Sequence, residues 1–160
     1  MICLDTMVLI WGVQGNANPG QEHMVERTDR YLRSLKDANE ILMVPTPVAM
    51  EYLRGFDNNE REAQLTILGR YYFLPSFDIA SADLAAELSR RKEVSELHDD
   101  VGRHFVKTDV QIVATAIVHQ ADVIITNNVN EYRKIAGGRI SISDIPNIIE
   151  QTALDYSSNE

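Results

Sequence analysis

The sequence KTDVQIVATAIV, residues 107–118, decides the fold, because an acid opens an apolar helical pattern there. From Asp109 onward, apolar residues recur with the spacing of one packed helix face, and Thr108 is placed to cap the helix. The run VIITNN, residues 123–128, then has the near-continuous apolar character of a strand covered on both faces. This alternation predicts an α/β fold with a mainly parallel central sheet.

Five short strands and the helices that flank them are expected along the chain. The strands are predicted at residues 2–5, 41–44, 73–77, 123–125 and 140–142. Pro75 confines the third strand to an edge or a bulge. Further helices are predicted around residues 24–35, from Thr46 as N-cap to Gly55, from about residue 60, from Ser81 as N-cap to about residue 97, and near residues 143–151. Residues 15–20 are expected to be flexible, and residues 98–107 to form a loop or a frayed helix end.

The composition fits one domain, predicted over residues 1–152, with a frayed acidic tail over residues 153–160. At 160 residues and 44% apolar content, the chain can bury a core without disulfides. The lone cysteine, Cys3, lies in an apolar run and favours a reducing cytosol. No export signal or eighteen-residue apolar stretch is present. A cytoplasmic protein that does not cross a membrane is therefore expected.

The net charge of −9 argues against nonspecific nucleic-acid binding through a broad positive surface. Local binding through basic clusters remains open. The four histidines have no zinc-site spacing and no cysteine pair nearby, and no phosphate-cradling glycine motif occurs. The chemistry of the chain is therefore expected to depend on its acids.

Three acids are expected to meet at one edge of the sheet. Asp5 ends the first strand, while Glu51 and Asp109 belong to helices entered from the same edge. Clustered, partly buried carboxylates repel one another unless a cation compensates them. Ligands that offer only oxygen favour Mg²⁺ or Mn²⁺ over zinc. The three acids are therefore predicted to be metal ligands.

Interpretations in which the same residues have only a structural role stay open. Asp109 fits an acid favoured by the helix macrodipole at a helix start. Glu51 fits a solvated partner of Arg54, three residues on. Trp11 fits either packing in the core or against a loop, which we favour, or stacking on a base or a partner.

Four segments in order resemble PIN-domain ribonucleases, and most closely VapC-type toxins of toxin-antitoxin pairs. They are CLDT at residues 3–6, PVAMEYL at 47–53, TDVQIVATA at 108–116, and ITNN at 125–128 with Tyr132 following. The resemblance spans about residues 1–150. It implies a PIN-like fold and metal-dependent cleavage of single-stranded or looped RNA.

The resemblance also implies roles for individual residues. Asp5, Glu51 and Asp109 match the family's acids, and Thr6 and Thr126 match hydroxyl positions that support the site. Asn128 stands where many relatives carry a fourth acid, and it is retained as a candidate catalytic residue; Asn127 and Glu131 are weaker substitutes. Arg54 and Lys107 are candidate contacts for the RNA.

The resemblance further implies a toxin of a type II toxin-antitoxin pair, with a cognate antitoxin as partner. A homodimer is expected through apolar positions around Leu65, Leu68 and Tyr72. The competing interpretation is a noncatalytic RNA-binding or regulatory module that keeps the fold, which Asn128 and the acidic charge favour. A phosphoacceptor switch domain is disfavoured, since it requires paired acids after the first strand and a lysine after the last, and neither occurs.

Overall fold

Four parallel strands form the centre of the molecule. In the computed structural model, residues 1–100 and 103–148 are described, with the backbone alone for residues 98–100 and 103–105. The strands are β1 (Ile2–Leu4), β2 (Leu42–Met43), β3 (Val123–Ile125) and β4 (Ser141–Ser143), in the order β2-β1-β3-β4. Their registers pair Cys3 with both Met43 and Ile124. The predicted α/β class with a parallel sheet is confirmed.

The predicted fifth strand is reduced to a single bridge. Phe73 bridges Met43, and its backbone exchanges hydrogen bonds with Leu42 and Val44 beside β2. Pro75 contributes only its carbonyl, which accepts from Thr46 N at 3.0 Å. Because proline has no N–H to donate, pairing does not continue into a ladder.

Eight α-helices and one π-helical segment are found among the described residues, and they flank the sheet. The helices are α1 (Thr6–Leu9), α2 (Glu22–Asp37), α3 (Thr46–Leu53), α4 (Asn58–Tyr71), α5 (Ile79–Ser89), α6 (Lys92–Asp100), α7 (Arg103–Val118) and α8 (Val129–Ala136). The π-helical segment, Ile10–Gln14, continues α1 directly. It ends at Gly15, whose φ of 67° is left-handed and suits glycine.

Helix α7 begins earlier than predicted. It starts at Arg103, so Asp109 lies in its second turn and does not open the helix, and Thr108 is not its N-cap. The loop or frayed helix end predicted over residues 98–107 is also wrong at both ends, since α6 extends to Asp100 and α7 begins at Arg103. The interpretation of Asp109 as an acid that stabilises a helix start is therefore wrong.

Other helix boundaries differ from the prediction because different residues cap them. Asp5 follows β1 and its side chain accepts from Thr6 N, so it is the N-cap of a helix, α1, that was not predicted. Asp78, not Ser81, caps α5 by accepting from Ser81 N. Thr46 is the first residue of α3, and its hydroxyl accepts from Phe77 N at 2.9 Å.

The helix predicted near the C-terminus lies only partly within the described residues, and the predicted tail lies outside them. Ser143 ends β4 and residues 144–148 are not helical, so the helix predicted near residues 143–151 is absent over its described part. The predicted tail, residues 153–160, and the domain boundary at 152 lie outside the described residues.

The core lies between the sheet and the long helices. Cys3, Ile124 and Ile112 are fully buried on β1, β3 and α7, and Trp11 is packed into the same cluster. The packing predicted for Trp11 and Cys3 is confirmed. Helix α7 packs most extensively against α5 and also contacts α3, α6 and α8. Within the part of the chain that is described, no helix has both the length and the apolar character needed to cross a bilayer.

Candidate active site

The predicted acids line one cleft at the carboxyl edge of the sheet. The cleft has a volume of about 500 Å³. Asp5 follows β1, Glu51 belongs to the helix after β2, and Asp109 lies on α7, which runs beside them. The parallel strands bring these positions together although they are far apart in sequence. The cleft is lined by Asp5, Thr6, Met7, Ile10, Glu51, Arg54, Asp109, Asn127, Asn128, Glu131 and Tyr132.

Asp5 is the most completely fixed of the acids. Its side chain is only 7% exposed. Its Oδ1 accepts from Thr6 N at 2.7 Å and from the Tyr132 hydroxyl at 2.8 Å, and its Oδ2 accepts from the Thr126 hydroxyl at 2.7 Å. Burial raises the pKa of Asp5, whereas these hydrogen bonds oppose the rise because they stabilise the carboxylate. The carboxylate is thus held in one orientation by donors from α1, from α8 and from the residue that follows β3.

Glu51 is fixed through Thr6. The Thr6 hydroxyl donates to Glu51 Oε2 at 2.6 Å, which ties α1 to α3. Among the described residues, Glu51 and Arg54 form no ion pair, so the interpretation of Glu51 as a solvated partner of Arg54 is wrong. Arg54 is exposed at the rim of the cleft. The prediction that Thr6 supports the site agrees with this contact.

Asp109 is linked to Asp5 by Tyr132. The Tyr132 hydroxyl is 3.2 Å from Asp109 Oδ1 and lies in reach of both carboxylates. Burial raises the pKa of Asp109 to about 7, and repulsion from Asp5, then Glu51 and Glu131, adds to the rise. Burial, together with the negative charges of Asp5 and Asp109, raises the pKa of Tyr132 far above its usual value, so the phenol stays a donor. Two acids from distant segments therefore share one hydroxyl.

Glu131, predicted as a weaker substitute for Asn128, is a fourth acid in the cleft. Asn128 Nδ2 donates to Glu131 Oε2, and Asn128 N donates to the Thr126 hydroxyl at 3.0 Å. The predicted support from Thr126 thus reaches both Asp5 and the turn that precedes α8. The spacing from Asn128 to Glu131 was the available signal, since the N-cap residue and the third residue of a helix are neighbours.

Lys107 is not brought into the cleft. It is exposed on α7 and does not line the cavity, whereas Asp109, two residues later, does. Residues two apart on a helix do not face the same side. Of the two predicted RNA contacts, only Arg54 lies at the cleft.

The described acids of the cleft do not form a closed cage for a divalent cation. Nowhere in residues 1–100 and 103–148 do three His, Cys, Asp or Glu side chains stand close enough to enclose an ion by themselves. Mg²⁺ keeps several waters and takes only one or two carboxylates, so it does not require such a cage. Burial, and then repulsion from the neighbouring carboxylates, raises the pKa of Asp109, and a bound cation would oppose this rise. The residues present therefore fit a hydrated Mg²⁺ or Mn²⁺.

The comparisons with known proteins agree with this architecture. The sequence profile described as PIN domain matches residues 2–138. Among solved structures, the chain is similar to a chain in the crystal structure of VapBC2 from Rickettsia felis bound to a DNA fragment from their promoter. The two share 18% sequence identity with a TM-score of 0.62, and the match covers 90% of this chain and 98% of that chain. At this identity the likeness shows the fold alone. No curated protein matches the chain.

Proposed function

The chain belongs to the PIN domain family, and from this premise we propose that it is a metal-dependent endoribonuclease that hydrolyses RNA phosphodiester bonds. We further propose that it acts in the cytoplasm as the toxin of a type II toxin-antitoxin pair. The family membership supports a nuclease at the level of the family. The finer statements depend on the residues of the cleft.

One observation carries the proposal: Asp5, Glu51, Asp109 and Glu131 line a single open cleft. Four acids gathered at one place destabilise the fold through repulsion and lost hydration. No such cost is needed to pack a core, because apolar side chains would fill the same space. The arrangement is explained if the cleft receives a divalent cation together with a phosphate group.

Asp5, Glu51 and Asp109 would hold Mg²⁺ or Mn²⁺ through their remaining lone pairs. Among the described residues, Glu51 Oε1 and Asp109 Oδ2 accept no hydrogen bond from the protein, and Asp5 Oδ2 accepts only the one from Thr126. When bound, the cation supplies charge to the phosphate and makes a water molecule more acidic. Thr6, Thr126 and Tyr132 orient the carboxylates, as their hydrogen bonds indicate.

Other residues are proposed to position the substrate and the attacking water. Glu131, kept in place by Asn128, faces the same cleft and can accept a proton from water. Arg54 at the rim is suited to a phosphate oxygen, since a guanidinium matches phosphate geometry. Lys107 is exposed away from the cleft, so it can contact only RNA that extends beyond it.

The proposed protein partners are an antitoxin and a second copy of the chain. The likeness to VapBC2 supports an antitoxin partner without demonstrating one. For the homodimer, Leu68 is buried within the chain and cannot contribute, whereas Leu65 and Tyr71 on α4 and the adjacent Phe73 are exposed. A dimer through these exposed residues would bury apolar surface that otherwise faces water.

A noncatalytic RNA-binding or regulatory module remains the second candidate. It is favoured by the observation that, among the described residues, no three acids approach closely enough to enclose an ion. Such a module would bind RNA without cleaving it.

The proposal is tested by incubating the purified protein with end-labelled RNA over a Mn²⁺ titration. The proposed enzyme is expected to produce internal cuts that depend on Mn²⁺ and stop when the ion is chelated. RNA that is retained but left intact at every Mn²⁺ concentration would support the noncatalytic module.

A further inference from the structure

We propose that a second cavity beside the acidic cleft binds one unpaired nucleobase of the RNA, and so selects the nucleotide next to the cleaved bond. This inference rests on the proposed function. The cavity has a volume of about 290 Å³, at the small end of the range for ligand pockets. Met7, Ile10 and Trp11 give it apolar walls, and the amide side chains of Gln14, Asn16 and Asn18 lie around it.

The cavity and the acidic cleft adjoin each other. Met7 and Ile10 line both of them. A ligand that occupies both the cavity and the cleft must therefore have one group in each, joined by a link that passes over Met7 and Ile10. A nucleotide has this form, since its base and its phosphate are joined through one sugar.

The cleft is lined by charged residues and the second cavity is not, just as the phosphate of a nucleotide is charged and its base is not. Asp5, Glu51, Asp109, Glu131 and Arg54 are charged residues of the cleft, and none of the residues lining the second cavity is charged. A cation and a phosphate match the first set, and an uncharged, flat base matches the second. Single-stranded RNA is recognised in this way, by contact with base faces and by hydrogen bonds to base edges.

The amides at the cavity supply the hydrogen bonds that a base edge requires. Within the described part of the chain, the side chains of Gln14, Asn16 and Asn18 have no hydrogen-bond partner in the protein, and all three are exposed. Each amide offers both a donor and an acceptor. The three can thus distinguish base edges without adding charge.

The local backbone places these residues at the cavity. Trp11 and Gln14 belong to the π-helical segment, a rare conformation that is frequent at functional sites. The segment closes with Asn16 N donating to Ile10 O at 3.1 Å after the left-handed Gly15. Residues from the helix and from the loop that follows thereby line the same space.

A nucleoside titration tests the cavity without requiring cleavage. Trp11 is the only tryptophan of the chain and lines the cavity, so its fluorescence reports occupation. Wild-type protein is titrated with adenosine, guanosine, cytidine and uridine, with ribose as the base-free control. A saturable change with at least one nucleoside and none with ribose is expected. The absence of any response to the four nucleosides would overturn the proposal.

Gly55 allows the cavity to be filled. It lines the cavity, and a Cβ added there would be 3.5 Å from Tyr52 O, an ordinary contact. Gly55→Leu is expected to lose the nucleoside response and to raise the KM for RNA about tenfold, the effect of losing one base contact. Gly69→Leu on α4, where nothing lies within 4 Å of an added Cβ, is the matched control and should behave as wild type. Melting temperatures of both variants show whether they fold.

Asn16→Ala removes one amide without filling the space, so it is expected to reduce discrimination among the nucleosides. A folded Gly55→Leu protein with the KM of wild type would contradict the proposal. It would also fail if that variant lost inhibition by a protein partner while its KM stayed unchanged, because the cavity would then belong to the partner. If wild type cleaves no RNA, the proposed function fails, and the nucleoside titration alone decides the cavity.

Discussion

The acids at the two ends of β1 and β3 differ in their exposure to water and in their partners. At the amino end, the Met1 ammonium donates to Asp122 Oδ2 at 2.5 Å, and the Asp122 side chain is 78% exposed. At the carboxyl end of the same strands, Asp5 is buried and faces Glu51 and Asp109 across the cleft. Asp122 is solvated and paired, whereas Asp5 and Asp109 are desolvated and lie close to other acids.

The difference shows where the protein leaves charge uncompensated. An exposed pair such as Met1–Asp122 contributes little to stability and costs little. Crowded, buried carboxylates cost free energy, and Arg54, the cation that lines the cleft, is exposed at its rim. The carboxyl end is therefore the end that gains from an added cation, and the variants below are expected to affect it unequally.

The largest effect is expected from Asp109→Asn. Loss of a carboxylate that would bind the metal should reduce RNA cleavage by more than about a hundredfold, since even residues behind metal ligands cost 10–100-fold. The melting temperature should stay unchanged or rise, because repulsion with Asp5 is relieved. Cleavage rates at saturating Mn²⁺ and thermal melting measure the two effects. A fully active variant would remove Asp109 from the site.

A smaller effect is expected at Asn128. Asn128→Ala removes the donor that holds Glu131, so cleavage should fall about 10–100-fold, as for other residues that orient a site. Asn128→Asp keeps an oxygen in the cleft but adds repulsion with Glu131. We expect it to remain active and to require more Mn²⁺. Rates for the three proteins across a Mn²⁺ titration decide the matter, and an unaffected Asn128→Ala protein would refute the role.

Tyr132→Phe should have a moderate effect that is specific to the metal. The ring is retained in the core, while the hydroxyl shared by Asp5 and Asp109 is lost. With the two carboxylates less well oriented, the Mn²⁺ concentration for half-maximal cleavage should rise about tenfold, at the lower end of the effect of such partners. The rate at saturating Mn²⁺ should recover. A variant that loses the saturated rate without a change in Mn²⁺ dependence would contradict this assignment.

The smallest expected effect is on the pH dependence of stability. The pKa of Asp109 rises from 3.8 to about 7 on folding, so the folded protein retains a proton that the unfolded chain releases between these values. The free energy of unfolding of the metal-free protein should therefore decrease as pH increases through this window. A change of 1 kcal/mol moves the melting temperature by about 2–4 °C in a protein of this size. Melting temperatures of wild type and Asp109→Asn should diverge most above pH 7, and parallel curves would count against the shift.

The sequence predicted best those residues whose placement depends on strand ends. Asp5 and Thr126 follow short apolar runs, and parallel strands bring their carboxyl ends to one edge whatever the helices do. The segment TMVLIWGVQ, residues 6–14, was not predicted to be helical, because a continuous apolar run carries no period that separates helix from strand. The cavity lined by Met7, Ile10 and Trp11 could not be predicted for the same reason.

The positions of Lys107 and Glu131 relative to the cleft depend on helix register. The side chain of Lys107 could be placed only after α7 was known to extend to Arg103, and that of Glu131 only after α8 was known to begin at Val129. Helix starts depend on caps and tertiary contacts that a short polar stretch does not specify. Residue type therefore indicated the chemistry, whereas the backbone decided which of these residues face the cleft.

Calorimetric titration of Mn²⁺ into the metal-free protein tests most directly whether the carboxyl end of the sheet is built for a cation. Wild type is expected to bind the ion and to release a proton below pH 7, because Asp109 must ionise. Asp109→Asn should bind at least about tenfold more weakly, whereas Asp122→Asn, which removes an exposed acid at the opposite end of the same strands, should bind as wild type does. No binding by wild type, or equal binding by both variants, would contradict the account.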